Sequence, residues 1–169
     1  MAFDDDTHTE ARTPKDRMAI AQAIGVATKN VGEGGGPFGA VLVKDGKVIA
    51  TGGNRVTLNN DPSAHAEVVA IRAACQELGE FSLAGCTLYS SCEPCPMCLA
   101  TVLWARLDRV VYAADQQDAD RFGFDDERFH QLFRARPLEW TLPKVEQHRH
   151  DDALAPFEAW HAADGAVGY

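Results

Sequence analysis

At 169 residues, 46% of them hydrophobic and 24% charged, the chain is sized for one globular domain and its composition excludes a collagenous, low-complexity or wholly disordered polymer. Sixteen Lys and Arg against 25 Asp and Glu leave a formal charge of −9, a field that repels phosphate and argues against nucleic acid as a partner. No apolar run nears the ~20 residues of a membrane span, and the acidic stretch Met1–Glu10 lacks the basic and apolar regions of a signal peptide, so a cytoplasmic protein with no membrane partner is expected.

Residues 1–13 carry three consecutive aspartates and few apolar groups, which predicts a disordered acidic tail ahead of a single domain over 14–169. From Pro14 the apolar set Met18, Ala19, Ala21, Ile24, Gly25 and Ala27 keeps helical spacing up to the breaker Gly32–Gly36. FGAVLVKDGKVIATGG reads as two strands joined by Asp45-Gly46, a strong hairpin signal. A second helix is expected from about Pro62 to Leu78, and CTLYS is a short strand. Pro94 and Pro96 then open a third helix whose Met97, Leu99, Val102, Leu103 and Leu107 point all round, predicting burial. RVVYAA reads as a strand inside a sheet. Beyond Ala114 the pattern suggests a helix near 126–133, a strand at 142–146 and a C-terminal amphipathic piece Ala155–Ala162. The sum is an α/β fold, a three-layer α/β/α sandwich on a mixed five-stranded sheet.

Five cysteines, three of them at Cys92, Cys95 and Cys98, do not form a secreted disulfide framework. His65-Ala66-Glu67 followed by Pro94-Cys95-Pro96-Met97-Cys98 is the H-x-E…P-C-x-x-C pattern of zinc deaminases. On one helix face Cys95 and Cys98 reach a common ion, and His65 is the third ligand of a single Zn2+. Three protein ligands leave a fourth position where water becomes a nucleophile near neutral pH, with Glu67 beside it as general acid and base. Residues two apart lie about 200° apart on a helix, so the chain must bend between His65 and Glu67. Two other readings stand against this one. An iron–sulfur cluster on the three cysteines would leave His65 and Glu67 idle, and a closed structural zinc would recruit Cys92; otherwise Cys92 is a small packing residue. His8, His130, His148, His150 and His161 have no partner spacing and read as surface residues. Trp104 reads as core of the third helix or as an edge of the pocket, and Asn54 as a turn residue or a base-reading amide.

PFGAVLV, NDPSAHAE, SCEPCPMC, FGFDD and APFEAW with the terminal Tyr169 together resemble the cytidine deaminase superfamily and, within it, the small zinc-dependent guanine deaminases of bacteria, from about residue 15 to the end. The resemblance implies zinc on His65, Cys95 and Cys98, Glu67 as proton shuttle, Phe38, Ala66 and Trp104 around the base, Asn54 on its polar edge, and Asp126 and Tyr169 completing the pocket. It also implies a homodimer that exchanges its C-terminal segments and a small purine as substrate. Related rings (guanosine, ammeline), tRNA adenosine and a non-catalytic zinc module are the alternatives. A carboxylate at Asp126 suits guanine because the attacked carbon there is flanked by an N–H donor, whereas in adenine and cytosine the neighbouring ring nitrogen accepts. An N-cap aspartate is the other reading of Asp126.

Overall fold

A computed structural model describes residues 13–168 except 125, 142, 149, 150 and 166. The expected tail at 1–12 and Tyr169 therefore lie outside the described residues. Thr13, the last residue of the expected tail, is instead the N-cap of helix α1 (Pro14–Gly32), in a reciprocal capping box with Asp16.

Strands β1 (Gly36–Lys44) and β2 (Lys47–Asn54) form the expected hairpin. Asp45 and Gly46 both take positive φ, as a type I′ turn demands. A single helical turn, α2 (Val56–Asn59), was not anticipated; it leads to α3 (Ala66–Leu78), β3 (Cys86–Cys92), α4 (Pro96–Trp104) and β4 (Arg109–Ala114). Strand order is β2-β1-β3-β4, with β1 antiparallel to both neighbours and β3 parallel to β4. Helix α4 makes the crossover between the parallel pair.

Three layers result. Ala23 of α1 packs with Val41 and Tyr89 on one face of the sheet. Ala66, Ala70, Ile71 and Ala74 of α3 pack with Ala40, Leu42, Leu88 and Val102 on the other. Helix α3 comes so near β2 that a Cβ at Gly52 would collide with the Ala66 carbonyl and the Ala70 amide, so the Gly is required for the close approach.

A buried carboxylate ties the first layer to the sheet. Asp16 accepts from the Tyr89 hydroxyl at 2.6 Å and from Arg109 at 2.7 and 3.2 Å. Arg109, Tyr89 and Thr13 hold its carboxyl well below the ordinary carboxylate range, against the opposing effect of burial.

Several expectations are corrected. The described sheet has four strands, not five: residues 143–146 are turn and irregular chain, because Pro143 and the charged Lys144 and Glu146 offer no alternating apolar face to a sheet edge. Strand β4 is accordingly an edge strand and half exposed, not interior. Helix α4 buries only Cys98 and Val102, while Leu103 is 71% exposed and Trp104 61%.

Beyond β4 come α5 (Gln116–Asp120), α6 (Glu127–Leu132), two 3-10 turns and α7 (Ala155–Ala162). No described residue from Asp115 onward is buried.

Candidate metal centre and active site

The sequence places both halves of the motif at helix starts, and the structure shows what that does. His65 and Cys95 are the N-caps of α3 and α4, each with extended backbone. Neither spends its side chain on a capping hydrogen bond. The bend required between His65 and Glu67 is thus made at the cap: His65 stands outside the helix and Glu67 inside its first turn. Two helix N-termini, with their unpaired N–H groups, face the same point and favour negative charge there.

Cys95 Sγ lies 3.6 Å from Cys98 Sγ and 3.6 Å from His65 Nδ1, and Cys98 Sγ lies 3.5 Å from that nitrogen. Tetrahedral zinc, with bonds of about 2.3 Å to sulfur and about 2.0–2.1 Å to nitrogen, requires edges of roughly 3.5–3.8 Å. The donor set fits zinc in both softness and size. The Cys98 thiol and His65 draw Cys95 well down, while Cys95 and burial push Cys98 far up. His65 is raised, chiefly by its contact with Cys95. Cys92 is no ligand. Its sulfur contacts the Asp115 carbonyl at 3.7 Å, and burial pushes its thiol up to about 11. That removes the closed four-ligand site, and three cysteines around one cluster are not found.

Glu67 is 5% exposed. Its Oε1 accepts from the Ser90 hydroxyl at 2.9 Å and its Oε2 accepts from the Cys98 thiol at 3.4 Å. Burial raises the carboxyl above its ordinary value, the condition under which a carboxylate takes up and returns a proton near neutral pH.

These groups open on a cavity of about 360 Å³ whose walls include Phe38, Asn54, Phe124 and Asp126. Phe38 and Phe124 meet edge to face, centroids 4.9 Å apart. Asn54 satisfies both readings: its Oδ1 accepts from Val56 N–H at 3.3 Å, as a turn residue would, and it lines the cavity. Asp126 sits at the N-cap of α6 but makes no capping hydrogen bond, so the cap reading fails. Burial raises its carboxyl, and His130 Nε2 stands 3.6 Å from Oδ2. His130 is thus half-buried against Asp126 and not the partnerless surface residue expected. An adjoining depression of about 750 Å³ shares Phe38, Cys92, Ala119 and Phe124 and takes Ile24, Ala27 and Val31 from α1 and Ala113 and Ala114 from β4.

Two residues implied by resemblance are elsewhere. Trp104 lines a depression with Ile71, Phe81 and Val167, away from the metal triad; it follows Cys98 by six residues, which puts it about 240° around the helix. Ala66 is wholly buried against the sheet and does not line the cavity. Ser90 and His130 carried no motif, whereas Phe124 lies inside FGFDD.

Residues 13–114 match the family model of the cytidine and deoxycytidylate deaminase zinc-binding region. The chain is 50% identical over 142 residues to a Bacillus subtilis guanine deaminase, covering 83% of this chain and 90% of that protein. A tRNA-specific adenosine deaminase of Agrobacterium fabrum is 53% identical over 78 residues, 46% of this chain and 51% of that one. The crystal structure of guanine deaminase from Bacillus subtilis superimposes with a TM-score of 0.86 at 46% identity, over 90% of this chain and 98% of its own. The matched region takes in the whole described sheet and the His65, Cys95 and Cys98 cluster, and the chain belongs to the cytidine and deoxycytidylate deaminase zinc-binding family, as a zinc-dependent hydrolytic deaminase.

Proposed function

We propose that the chain converts guanine and water to xanthine and ammonia. The observation that carries this reading is the convergence of the metal triad, Glu67, Asn54 and Asp126 on one cavity. The likeness to a guanine deaminase along nearly its full length supports the same substrate, whereas the tRNA enzyme matches only about half its own length.

Zinc held by His65, Cys95 and Cys98 would supply a Lewis acid able to bring the pKa of a water to about 7. Glu67 takes a proton from the attacking water as that oxygen adds to C2 of guanine, and Ser90 holds the carboxylate in place meanwhile. The carboxylic acid then protonates N3 beside the attacked carbon. Glu67 next carries the remaining hydroxyl proton to the exocyclic amino group, which leaves as ammonia. Phe38 and Phe124 offer aromatic surface to the purine. The Asn54 Nδ2 donor suits a carbonyl or ring-nitrogen acceptor, and Asp126 accepts from N1–H, the donor that adenine and cytosine lack at the corresponding nitrogen.

Ammonia release should be measured over guanine, guanosine, ammeline, adenine, cytosine and tRNA. Guanine is expected to exceed adenine and cytosine in kcat/KM by about a hundredfold or more. Preference for guanosine or ammeline would change the substrate within the same chemistry, and parity with adenine would remove the role given to Asp126. A zinc-loaded protein that releases ammonia from none of them would be a structural zinc module.

The same reading includes a homodimer with exchanged C-terminal segments. Leu99, Leu103 and Trp104 form an exposed apolar face on α4, while Phe129, Phe133, Phe157 and Trp160 are exposed on the C-terminal segment. Apolar surface of this extent on both elements favours their burial against a second copy. Light scattering is expected to give twice the 18.4 kDa chain mass; a monomer at micromolar concentration would overturn the dimer.

A further inference from the structure

Asn30, in the last turn of α1, is buried, yet it belongs neither to the metal centre nor to the lining of the cavity. Its side-chain Nδ2 donates to two backbone carbonyls, Gly36 O at 2.7 Å and Asn54 O at 2.9 Å. These two residues are register partners at the open end of the β1–β2 hairpin, where the ladder is irregular between Gly36 and Gly39. Both line the catalytic cavity, and so does Phe38 within the irregular stretch. The Asn30 amide therefore bridges the two strands where their own pairing lapses.

The surroundings are shaped to admit it. A Cβ at Gly35 would collide with Asn30 Nδ2, and one at Gly53 with Asn30 Oδ1. Both partners of the Nδ2 group are acceptors, so the amide orientation is determined by chemistry. Oδ1 is left buried with no hydrogen-bond partner among the described residues, a cost that a side chain of purely packing value would not carry. The clamp continues beyond Asn54, because Arg55 N–H donates to Ala64 O at 2.8 Å, one residue before the ligand His65. Asn54 is thus held at its backbone carbonyl by Asn30, at the next amide by Ala64, and at its side-chain Oδ1 by Val56. Only its Nδ2 donor is left for a ligand.

We propose that Asn30 is a positioning residue for substrate binding: by clamping the Gly36 and Asn54 carbonyls it fixes the Asn54 amide against the base. The proposal rests on the deaminase reading of the cavity but not on which ring is deaminated. Asn30 touches no substrate and acts through Asn54.

The test compares Asn30→Ala, Asn30→Ser and the isosteric Asn30→Asp, which turns an acceptor toward both carbonyls. Each is measured alone, and Asn30→Ala also in an Asn54→Ala background, in zinc-loaded full-length protein. Expected are an increase of about tenfold in KM and in the Kd for xanthine, a much smaller change in kcat, and one zinc per chain. The double variant should match Asn54→Ala alone in both constants, since the effect runs through that side chain. Unchanged KM and Kd in the single variants, or multiplying effects in the double variant, would overturn the proposal. So would loss of the cooperative melt in all three Asn30 variants, because the amide would then be holding the fold. A wrong choice of guanine would appear already in the parent protein, where KM is read on whichever ring is turned over.

Discussion

Glu67 illustrates how a side chain acquires chemistry from its place. A carboxylate on an exposed helix start would titrate in the ordinary range, but this one is enclosed beside two cysteines and accepts from the Ser90 hydroxyl and the Cys98 thiol, and burial raises it. Glu67→Gln preserves shape and keeps an acceptor for Ser90 while removing proton transfer. Zinc content at one per chain is therefore expected with kcat lower by about 10²–10⁴-fold, checked by elemental analysis and ammonia release. Loss of the metal in that variant would instead make Glu67 a ligand. Asp16 shows the opposite electrostatics, far from the chemistry. Arg109 and Tyr89 favour its charged form, so its folded pKa is depressed below the unfolded one. The stability it contributes is complete above the unfolded pKa of about 3.9 and is lost as pH falls below it toward the folded value. Asp16→Asn is expected to lower Tm at pH 7 and to flatten the decline in Tm between pH 5 and pH 3; an unchanged acid limb in thermal melts would show that other carboxylates set it.

Among the elements, α3 and α4 were legible where the information is local. His65, Glu67, Cys95 and Cys98 lie within short motifs opened by prolines, and a helix start places such residues with little help from the rest of the chain. What escaped notice depends on pairing over distance. Ser90 meets Glu67 across 23 residues and Asn30 meets Asn54 across 24, and no periodicity in either segment records its partner. The all-round apolar pattern of α4 predicts burial, yet periodicity reports only that a face must be covered and not by which molecule. The fifth strand failed for a similar reason: Val145 is a lone apolar residue between charged neighbours, and one strand former does not make an edge. Helix α6 brings a residue whose identity was clear and whose use was ambiguous. Because Asp126 caps nothing, Asp126→Asn should leave the helix intact and lower kcat/KM for guanine by about 10–100-fold, the range of a lost charged hydrogen bond, with zinc unaffected. Equal losses of guanine turnover and zinc would place Asp126 in the metal site instead.

At the scale of the whole molecule, the sheet with α1, α3 and α4 forms the framework, and no helix among the described residues is long and apolar enough to cross a membrane. The metal ligands stand on that framework at the starts of α3 and α4, whereas Phe124 and Asp126, which close the cavity, belong to the segment in which no described residue is buried. The two parts of one site therefore rest on supports of unequal strength, and local opening of the weaker one need not await unfolding of the other. Amide hydrogens of α6 should exchange faster with deuterium than those of β1 and β3, and xanthine should slow the former while leaving the latter unchanged. Equal protection of α6 and β1 would mean that the segment opens only when everything does. If the protections differ, heat or mild denaturant will first cost the protein its discrimination between rings, and only later its zinc.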